Sequence, residues 1–349
     1  MTKKTSGIFA REQQHYRERD EVNIYVSSPP MPKNMLMDLT NACNHACIFC
    51  FSPHQTRKKK LINDELGYSI LSQAAKAGVE EVGFYNVGDP FMHKNLHSFV
   101  KHAKKVGFKY TYLSTNGALA TPERAKPVID AGLDSIKFSL NAGSRESYKI
   151  VHGRDEFDLV VKHLKYISNY RKEANKNLYL AITFVITQQN HKELENLKDE
   201  LSEFVDEIAA TPFHSQNGQM TSAEKLLAID GSASDPFQKE KLDNPICSNP
   251  FKRLHVTSEG YLGLCCVDYQ NYVAVEDLNE MTLVDAWNSE TFKKARKMHL
   301  EKKLTGTICD KCWNGSNKPY QPIKKDLAVE INFIEKEVDQ LKLIEKRLT

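Results

Sequence analysis

The chain has 349 residues, which is long enough for one large domain and a smaller one. Its 48 Lys and Arg residues nearly balance 45 Asp and Glu residues, and the net charge of +3 argues against nucleic-acid and membrane partners. No apolar run approaches the ~18 residues of a spanning helix and the N-terminus lacks an apolar signal segment, so we expect a cytoplasmic protein.

Residues 1–33 interleave opposite charges and end in prolines, which predicts a solvated arm before the core. The apolar run from Met35 to Leu39 is typical of a short buried strand. From there to residue 212, strands and helices alternate, which predicts parallel pairing with right-handed crossovers. The predicted strands are 35–39, 79–86, 110–115, 135–140, 178–186 and 208–211, and the predicted helices are 63–77, 95–106, 121–131, 157–170 and 191–204.

Three cysteines follow the first strand at C-x3-C-x2-C spacing: Cys43, Cys47 and Cys50. Cysteines in a chain expected in the cytoplasm predict metal ligands or redox thiols rather than disulfides. Soft thiolates this close together favour an iron–sulfur cluster or zinc. Structural zinc usually has four protein ligands, so a zinc site here needs a remote fourth ligand, whereas a [4Fe–4S] cluster would keep one iron open. The basic run at 57–60 that follows is typical of a solvated turn, and a site for a substrate anion is the alternative, because the run lies near the cysteine loop.

A second cysteine set follows a polar connector at 213–246, whose length is typical of a functional or mobile segment. The pattern predicts a strand at 251–258, a turn at Glu259-Gly260 and a return strand that ends at Cys265-Cys266. Short helices at 282–288 and 292–300 then lead to a closing C-x2-C pair. The set has five cysteines, and four thiolates at these spacings suit either an iron–sulfur cluster or a zinc ribbon.

With Phe49 before its last cysteine, the first motif resembles the C-x3-C-x-aromatic-C signature of the radical S-adenosylmethionine (SAM) superfamily. The six strand–helix units likewise resemble that family's open (β/α)6 partial barrel, and residues 34–212 resemble its core throughout. The resemblance implies a [4Fe–4S] cluster on Cys43, Cys47 and Cys50, with SAM chelating the open iron.

Tripeptides at later strand ends resemble the family's SAM-binding elements. Asp89, where the family usually has glutamate, would accept from the SAM amino group, and Ser139 would contact the SAM carboxylate or ribose. The resemblance assigns cofactor binding to Phe49, Gly88, Asp89, Asn116, Ser139, Arg154 and Val185.

Residues 247–322 resemble the SPASM/Twitch extension of radical SAM enzymes, in the Twitch version with one auxiliary cluster. The implied ligands of this second [4Fe–4S] cluster are Cys247, Cys265, Cys309 and Cys312. Cys266 is then spare, and it is a packed thiol, a hydrogen-atom donor or an alternative ligand. Asp268 is either a solvated turn residue or a general base.

The tail at 323–349 has apolar residues at alternating steps of four and three, which predicts a helix that docks on the body or pairs with another copy as a homodimer. The stripe consists of Leu327, Ile331, Ile334, Val338 and Leu341.

The resemblance implies a radical SAM oxidoreductase that reductively cleaves SAM to a 5′-deoxyadenosyl radical and abstracts a substrate hydrogen atom. We expect two-electron oxidation of a small polar metabolite, such as a sugar or aminocyclitol, with flavodoxin or ferredoxin as electron donor. One alternative is radical modification of a ribosomally made peptide by thioether formation, crosslinking or epimerisation. Another is a non-catalytic zinc protein that binds a partner.

Overall fold

The structure is a computed structural model that describes residues 24–216, 219–231 and 246–348. Residues 1–23 of the predicted arm at 1–33 lie outside the described residues. So do residues 217–218 and 232–245 of the connector at 213–246. The described part of the connector contains a 3-10 turn at Thr221–Ala223 and a short helix at Glu224–Leu227. Leu227 is buried there, so this part of the connector packs on the body.

The described strands form one sheet of nine, in the order β6-β5-β4-β3-β2-β1-β7-β8-β9. Strands β1 to β6 pair in parallel, and β6 does not pair with β1, so the barrel is open. The predicted (β/α)6 partial barrel is therefore confirmed. The strand bounds are β1 Asn34–Met37, β2 Glu81–Gly83, β3 Tyr110–Thr115, β4 Ser135–Ser139, β5 Tyr179–Ile186, β6 Glu207–Pro212, β7 Arg253–Val256, β8 Tyr261–Gly263 and β9 Ala274–Asp277.

Helices cover one face of this sheet. Their bounds are α1 Asp64–Lys76, α2 Leu96–Val106, α3 Pro122–Asp130, α4 Arg145–His152, α5 Phe157–Glu173, α6 Leu194–Leu201, α7 Glu224–Leu227, α8 Asn249–Lys252, α9 Leu283–Trp287, α10 Glu290–Leu300, α11 Ile308–Asn314 and α12 Phe333–Leu348. None of the described helices combines the length and the apolar character that crossing a bilayer requires.

Local capping sets several helix ends where the sequence predicts them. Asn63 accepts a hydrogen bond from the backbone N–H of Leu66 at 3.0 Å and begins α1. Gly107 ends α2 in the left-handed conformation, with a φ of 108°. Helix α4 was not predicted, because its eight residues carry only a short apolar pattern. It proves important, since its C-terminus meets the first cysteine loop.

The two faces of the sheet differ in what covers them. Met35 and Met37 belong to the core that the sheet shares with the helices. Leu36 points to the opposite, inner face, where a Cβ on Gly83 would lie 2.6 Å from its Cδ2 atom and 2.7 Å from the ring of Tyr112. His255 on β7 is the register partner of Leu36, so it lies on this inner face as well.

Strands β7 to β9 carry the second cysteine region and continue the barrel sheet. β7 pairs in parallel with β1, and β8 and β9 follow in antiparallel order. The predicted hairpin is confirmed. The predicted strand at 251–258 is too long, because residues up to Lys252 belong to α8, and β9 was not predicted.

The C-terminal helix docks on the body, with part of the predicted stripe. Helix α12 begins only at Phe333, and Ile334 and Val338 are 76% and 43% exposed. Leu327 is buried, and Ile331 and Leu341 pack against the apolar cluster that includes Ile48. Within the helix the buried residues are Gln340 and Ile344. The predicted stripe is therefore wrong for Ile334 and Val338, and pairing with a second copy stays a prediction.

Candidate metal centres

The first cysteine loop leaves the carboxyl end of β1 and is anchored from two sides. The backbone N–H of Asp89 donates to Ala42 O at 3.0 Å, and that of Ile48 donates to Val151 O at 2.9 Å. A Cβ on Gly88 would lie 2.1 Å from Thr40 O, so only glycine allows the segment after β2 to approach this closely.

The three thiols of this loop each face a polar side chain. Asn116 Nδ2 lies 3.7 Å from Cys43 Sγ, His152 Nδ1 lies 3.3 Å from Cys47 Sγ, and Tyr269 OH lies 3.7 Å from Cys50 Sγ. Burial raises the pKa of all three thiols, that of Cys43 to about 12. Such thiols are readily deprotonated only beside a strong positive charge, which a bound metal cluster supplies. The donor set therefore fits a cluster held by three cysteines.

Two histidines, His45 and His152, lie beside Cys47. His152 Nε2 donates to Leu140 O at 2.7 Å, so in the neutral ring the nitrogen facing Cys47 is an acceptor. Burial lowers the pKa of His152 to about 3, with a further contribution from His45. The ligand atoms of His45, Cys47 and His152 lie within 4.8 Å of one another, so they could hold a metal ion only if Cys47 left the three-thiol set.

The sequence analysis did not single out these histidines. His152 lies 105 positions after Cys47, so no local motif connects them. Only the approach of α4 to the loop brings the pair together.

The carboxylate of Asp89 is already engaged by the protein. It accepts from Thr115 Oγ1 at 2.8 and 3.1 Å, from the N–H of Asn116 at 2.8 Å and from the N–H of Phe91 at 2.9 Å. Burial raises its pKa despite these donors. Asp89 thus joins the end of β2 to the end of β3, and its contact with the SAM amino group stays a prediction.

Other residues predicted to bind the cofactor surround the same loop. Asn116 Nδ2 donates to Asn44 Oδ1 at 2.8 Å, and Arg154 Nε donates to Asn44 O at 3.1 Å. The ring of Phe49 lies 6.5 Å from that of His152. These three predicted residues are therefore brought together at the cysteine loop.

Ser139 and Val185 lie farther along the carboxyl edge of the sheet. Ser139 Oγ is 3.3 Å from Ser114 Oγ, and the backbone N–H of Val185 donates to Asn141 Oδ1 at 2.8 Å. Val185 also packs against the apolar cluster that includes Ile48 of the cysteine loop. The roles of Ser139 and Val185 in cofactor binding stay predictions.

The basic run after the loop begins with a buried residue rather than a solvated one. Arg57 is 3% exposed, and its Nη1 donates to Glu259 Oε2 at 3.0 Å and to Asn271 Oδ1 at 2.6 Å. Its Nη2 lies 3.9 Å from Asp38 Oδ2, and burial raises the pKa of Asp38 to about 7. The prediction of a solvated turn is wrong for Arg57, which connects the first cysteine loop to the β7–β8 hairpin.

The second cysteine set lines a small cavity in the C-terminal region. Its lining includes the four predicted ligands Cys247, Cys265, Cys309 and Cys312, together with His299. Burial raises the pKa of Cys309 well above its usual range and lowers that of His299 to about 4. Four partly buried thiols around one cavity fit an auxiliary cluster.

Cys266 is not among the residues that line this cavity. A hydrogen bond with the adjacent thiol of Cys265 lowers its pKa, and the positive charge of Arg253 acts in the same direction. The structure thus separates Cys266 from the four-cysteine set, and a chemical role for it stays a prediction.

Asp268 lines the cavity, but its carboxylate holds the turn that follows it. It accepts from the backbone N–H groups of Gln270 at 3.2 Å, Tyr272 at 2.9 Å and Val273 at 2.7 Å. Burial raises its pKa. These three donors hold the carboxylate in the turn, and its role as a general base stays a prediction.

Family comparison identifies both parts of the chain. The family model of the radical SAM superfamily matches residues 37–201. The chain belongs to this superfamily. The model of the SPASM iron–sulfur cluster-binding domain matches residues 247–313. Membership implies SAM, a SAM-binding [4Fe–4S] cluster and auxiliary iron–sulfur, for which both donor sets fit, and it disfavours a non-catalytic zinc protein.

Curated relatives match parts of this radical SAM protein. An uncharacterized protein of Methanocaldococcus jannaschii is 31% identical over 54% of this chain and 59% of its own length. The tungsten-containing aldehyde ferredoxin oxidoreductase cofactor-modifying protein of Pyrococcus furiosus is 27% identical over 47% of each chain. A probable GTP 3′,8-cyclase of Sulfurisphaera tokodaii is 24% identical over 70% of this chain and 85% of its own. The chain thus spans about half the length of the first two relatives.

Solved structures share its fold. SuiB of Streptococcus suis bound to the precursor peptide SuiA has a TM-score of 0.61 at 15% identity, over 92% of this chain and 80% of SuiB. BtrN in complex with AdoMet and 2-DOIA has a TM-score of 0.53 at 15% identity, over 84% of this chain and 96% of BtrN. The enzyme anSMEcpe with bound AdoMet has a TM-score of 0.55 at 14% identity, over 90% of this chain and 96% of its own. At these identities the likeness confirms the fold alone.

Proposed function

We propose that this radical SAM enzyme catalyses the two-electron oxidation of a small polar metabolite, such as a sugar or aminocyclitol. The observation that carries the proposal is the cavity lined by four cysteines. Four thiolates would leave an auxiliary cluster no open iron for substrate, which favours an electron-transfer role. When bound, the cofactors supply a 5′-deoxyadenosyl radical at the first site and a one-electron acceptor at the second.

The inner face of the sheet offers polar groups for such a substrate near the first cysteine loop. Ser139 Oγ lies 3.3 Å from Ser114 Oγ and 3.4 Å from Thr183 Oγ1, at the carboxyl ends of three neighbouring strands. Lys137 Nζ lies 5.0 Å from the centre of the Tyr85 ring on the same face. Hydroxyl groups and a cation here would orient a polyhydroxylated or amino-substituted ring with one C–H bond toward the radical.

Oxidation of an alcohol to a carbonyl also requires the loss of a proton. His255 is 2% exposed on the inner face, and neither of its ring nitrogens has a hydrogen-bond partner within the described chain. Burial lowers its pKa well below the usual range, so the ring is neutral but a weaker proton acceptor than free imidazole. The role of general base therefore stays with Asp268, and His255 is a second candidate for it.

The deciding experiment removes the auxiliary ligands. The protein with Cys309→Ala and Cys312→Ala is incubated anaerobically with SAM, a reductant and a panel of deuterated sugars and aminocyclitols. It should still pass deuterium into 5′-deoxyadenosine but fail to form the oxidised product, because the second electron has no acceptor. Cys266→Ala is the comparison variant, since it removes a neighbouring thiol outside the cavity, and full product formation by it would show that Cys266 is a packed thiol and not a hydrogen-atom donor.

Two results would contradict the proposal. Oxidised product at the native rate from the folded double variant would remove the acceptor role. Deuterium transfer from labelled peptides, with none from the small-molecule panel, would favour peptide modification instead.

A further inference from the structure

One face of the C-terminal helix α12 packs directly on the first cysteine loop. Gln340 and Ile344 are buried, and Arg347 lies on the same face at the next helical step. Ile344 belongs to a small apolar cluster that includes Ile48 of the loop and Val151 of α4. The helix therefore joins the loop and α4 in one packed unit.

Two polar side chains of α12 hold the backbone on both sides of Cys47. Gln340 Nε2 donates to Ile48 O at 2.7 Å in a buried hydrogen bond. Arg347 Nη1 donates to Ala46 O at 2.5 Å. The carbonyls of the residues before and after Cys47 are thus both fixed by the C-terminal helix.

Helix α4 holds the corresponding N–H groups. The N–H of Ala46 donates to His152 O at 3.3 Å, and that of Ile48 donates to Val151 O at 2.9 Å. The residues on both sides of Cys47 therefore have both their N–H and their carbonyl groups bonded, which fixes the backbone that carries the thiol.

The guanidinium of Arg347 lies against Gly153, where the absence of a side chain leaves room for it. A Cβ on Gly153 would lie 2.3 Å from Nη2, so a larger residue at this left-handed position, with a φ of 69°, would displace the group. Nη1 also lies 3.4 Å from Ile150 O at the C-terminal end of α4. Arg347 makes no recorded ion pair within the described residues, so no carboxylate there neutralises its charge.

We propose that Arg347 is a positioning residue of the SAM cluster and that its fixed positive charge raises the cluster's reduction potential. Uptake of one electron from a low-potential one-electron donor adds one negative charge to the cluster held by Cys43, Cys47 and Cys50. A guanidinium bonded one residue from Cys47 stabilises that added charge. Burial lowers the pKa of Arg347, but a guanidinium stays protonated in proteins. The half-buried setting weakens screening by water and salt.

The test is a redox titration of the full-length holoenzyme with dithionite, followed by electron paramagnetic resonance. The signal to follow is the one that changes when SAM is added, since only the three-cysteine cluster has an open iron. Arg347→Gln should lower the equilibrium constant for reduction at least tenfold, which is about 59 mV for a one-electron couple. Arg347→Lys should retain most of the native potential.

Lys342→Gln is the matched control, because it removes the same charge from the exposed side of the same helix. Its potential should equal the native one, and iron content should be equal in all three proteins. A native potential in Arg347→Gln with full iron would overturn the proposal.

If Arg347→Gln loses the cluster, its reduction potential cannot be measured. Arg347→Lys then distinguishes a requirement for the positive charge from a requirement for the shape of the guanidinium. Retention of the cluster by Arg347→Lys would support a requirement for the charge. Loss of the cluster in both variants would show that the shape of the guanidinium, and not its charge, is needed, and would overturn the electrostatic role.

Discussion

Replacing Asp38 by asparagine should stabilise this protein in a way that depends on pH. Asp38 is buried at the end of β1, and its Oδ2 atom has no hydrogen-bond partner within the described residues. Its neighbour Arg57 lies 3.9 Å away and is bonded more closely to Glu259 and Asn271, at 3.0 and 2.6 Å. The substitution therefore removes a poorly compensated carboxylate without leaving Arg57 unpaired.

The magnitude follows from the pKa of Asp38, which burial raises from 3.8 to about 7. Between these values the folded state holds a proton that the unfolded state has lost, so stability falls as pH rises from about 4 to 7 and then levels off. Each pH unit in that window corresponds to about 1.4 kcal/mol. Between pH 5 and pH 8.5, only the part of this window from about pH 5 to about pH 7, about two pH units, changes the stability. Over this range the free energy of unfolding of the wild type should therefore fall by about 3 kcal/mol more than that of Asp38→Asn.

The assay is anaerobic thermal unfolding of the reconstituted protein at pH 5 and 8.5, with matched iron content. The Tm difference in favour of Asp38→Asn should be larger at pH 8.5 by about 4 °C, because 1 kcal/mol shifts the Tm of a chain of this size by about 1.4 °C. Glu280→Gln, at an exposed turn, should show the same Tm difference from wild type at both pH values. A difference that stays constant for Asp38→Asn, or that shrinks as pH rises, would refute the reasoning.

Three further outcomes are expected. The protein should hold about eight irons from two [4Fe–4S] clusters, and alanine at all three cysteines of the first loop should leave about half the iron and no SAM cleavage, measured as 5′-deoxyadenosine. Gly88→Ala should lower the free energy of unfolding by about 1–3 kcal/mol in denaturant titrations, whereas Gly263→Ala, whose Cβ would lie no closer than 3.4 Å to its neighbours, should be tolerated. Asp89→Asn turns one acceptor into a donor that faces Thr115 and Asn116, and should cost about 1–3 kcal/mol of stability in the same titrations. Unchanged stability with weakened SAM binding in calorimetry would instead support a direct contact between Asp89 and the cofactor.

The sequence alone determined the parts of this protein that rest on local spacing. Three cysteines within eight residues predict a ligand set wherever the loop lies, and the alternation of strands and helices leaves few topologies besides an open parallel barrel. Caps such as Asn63 and Gly107 act within one helical turn, so the sequence places those helix ends correctly.

Only the tertiary structure decided which side chains are buried and what satisfies them. The apolar stripe of the C-terminal helix predicts Ile334 as a docking residue, yet the helix docks through Gln340 and Arg347, because their donors match two carbonyls about 300 positions earlier in the chain. The sequence predicts Arg57 in a solvated basic turn. In the structure it donates to Glu259 and Asn271, which lie more than 200 positions later in the chain. A buried polar group is stable only when its partner is in place, and partners this distant in sequence are supplied by the fold and not by any local pattern.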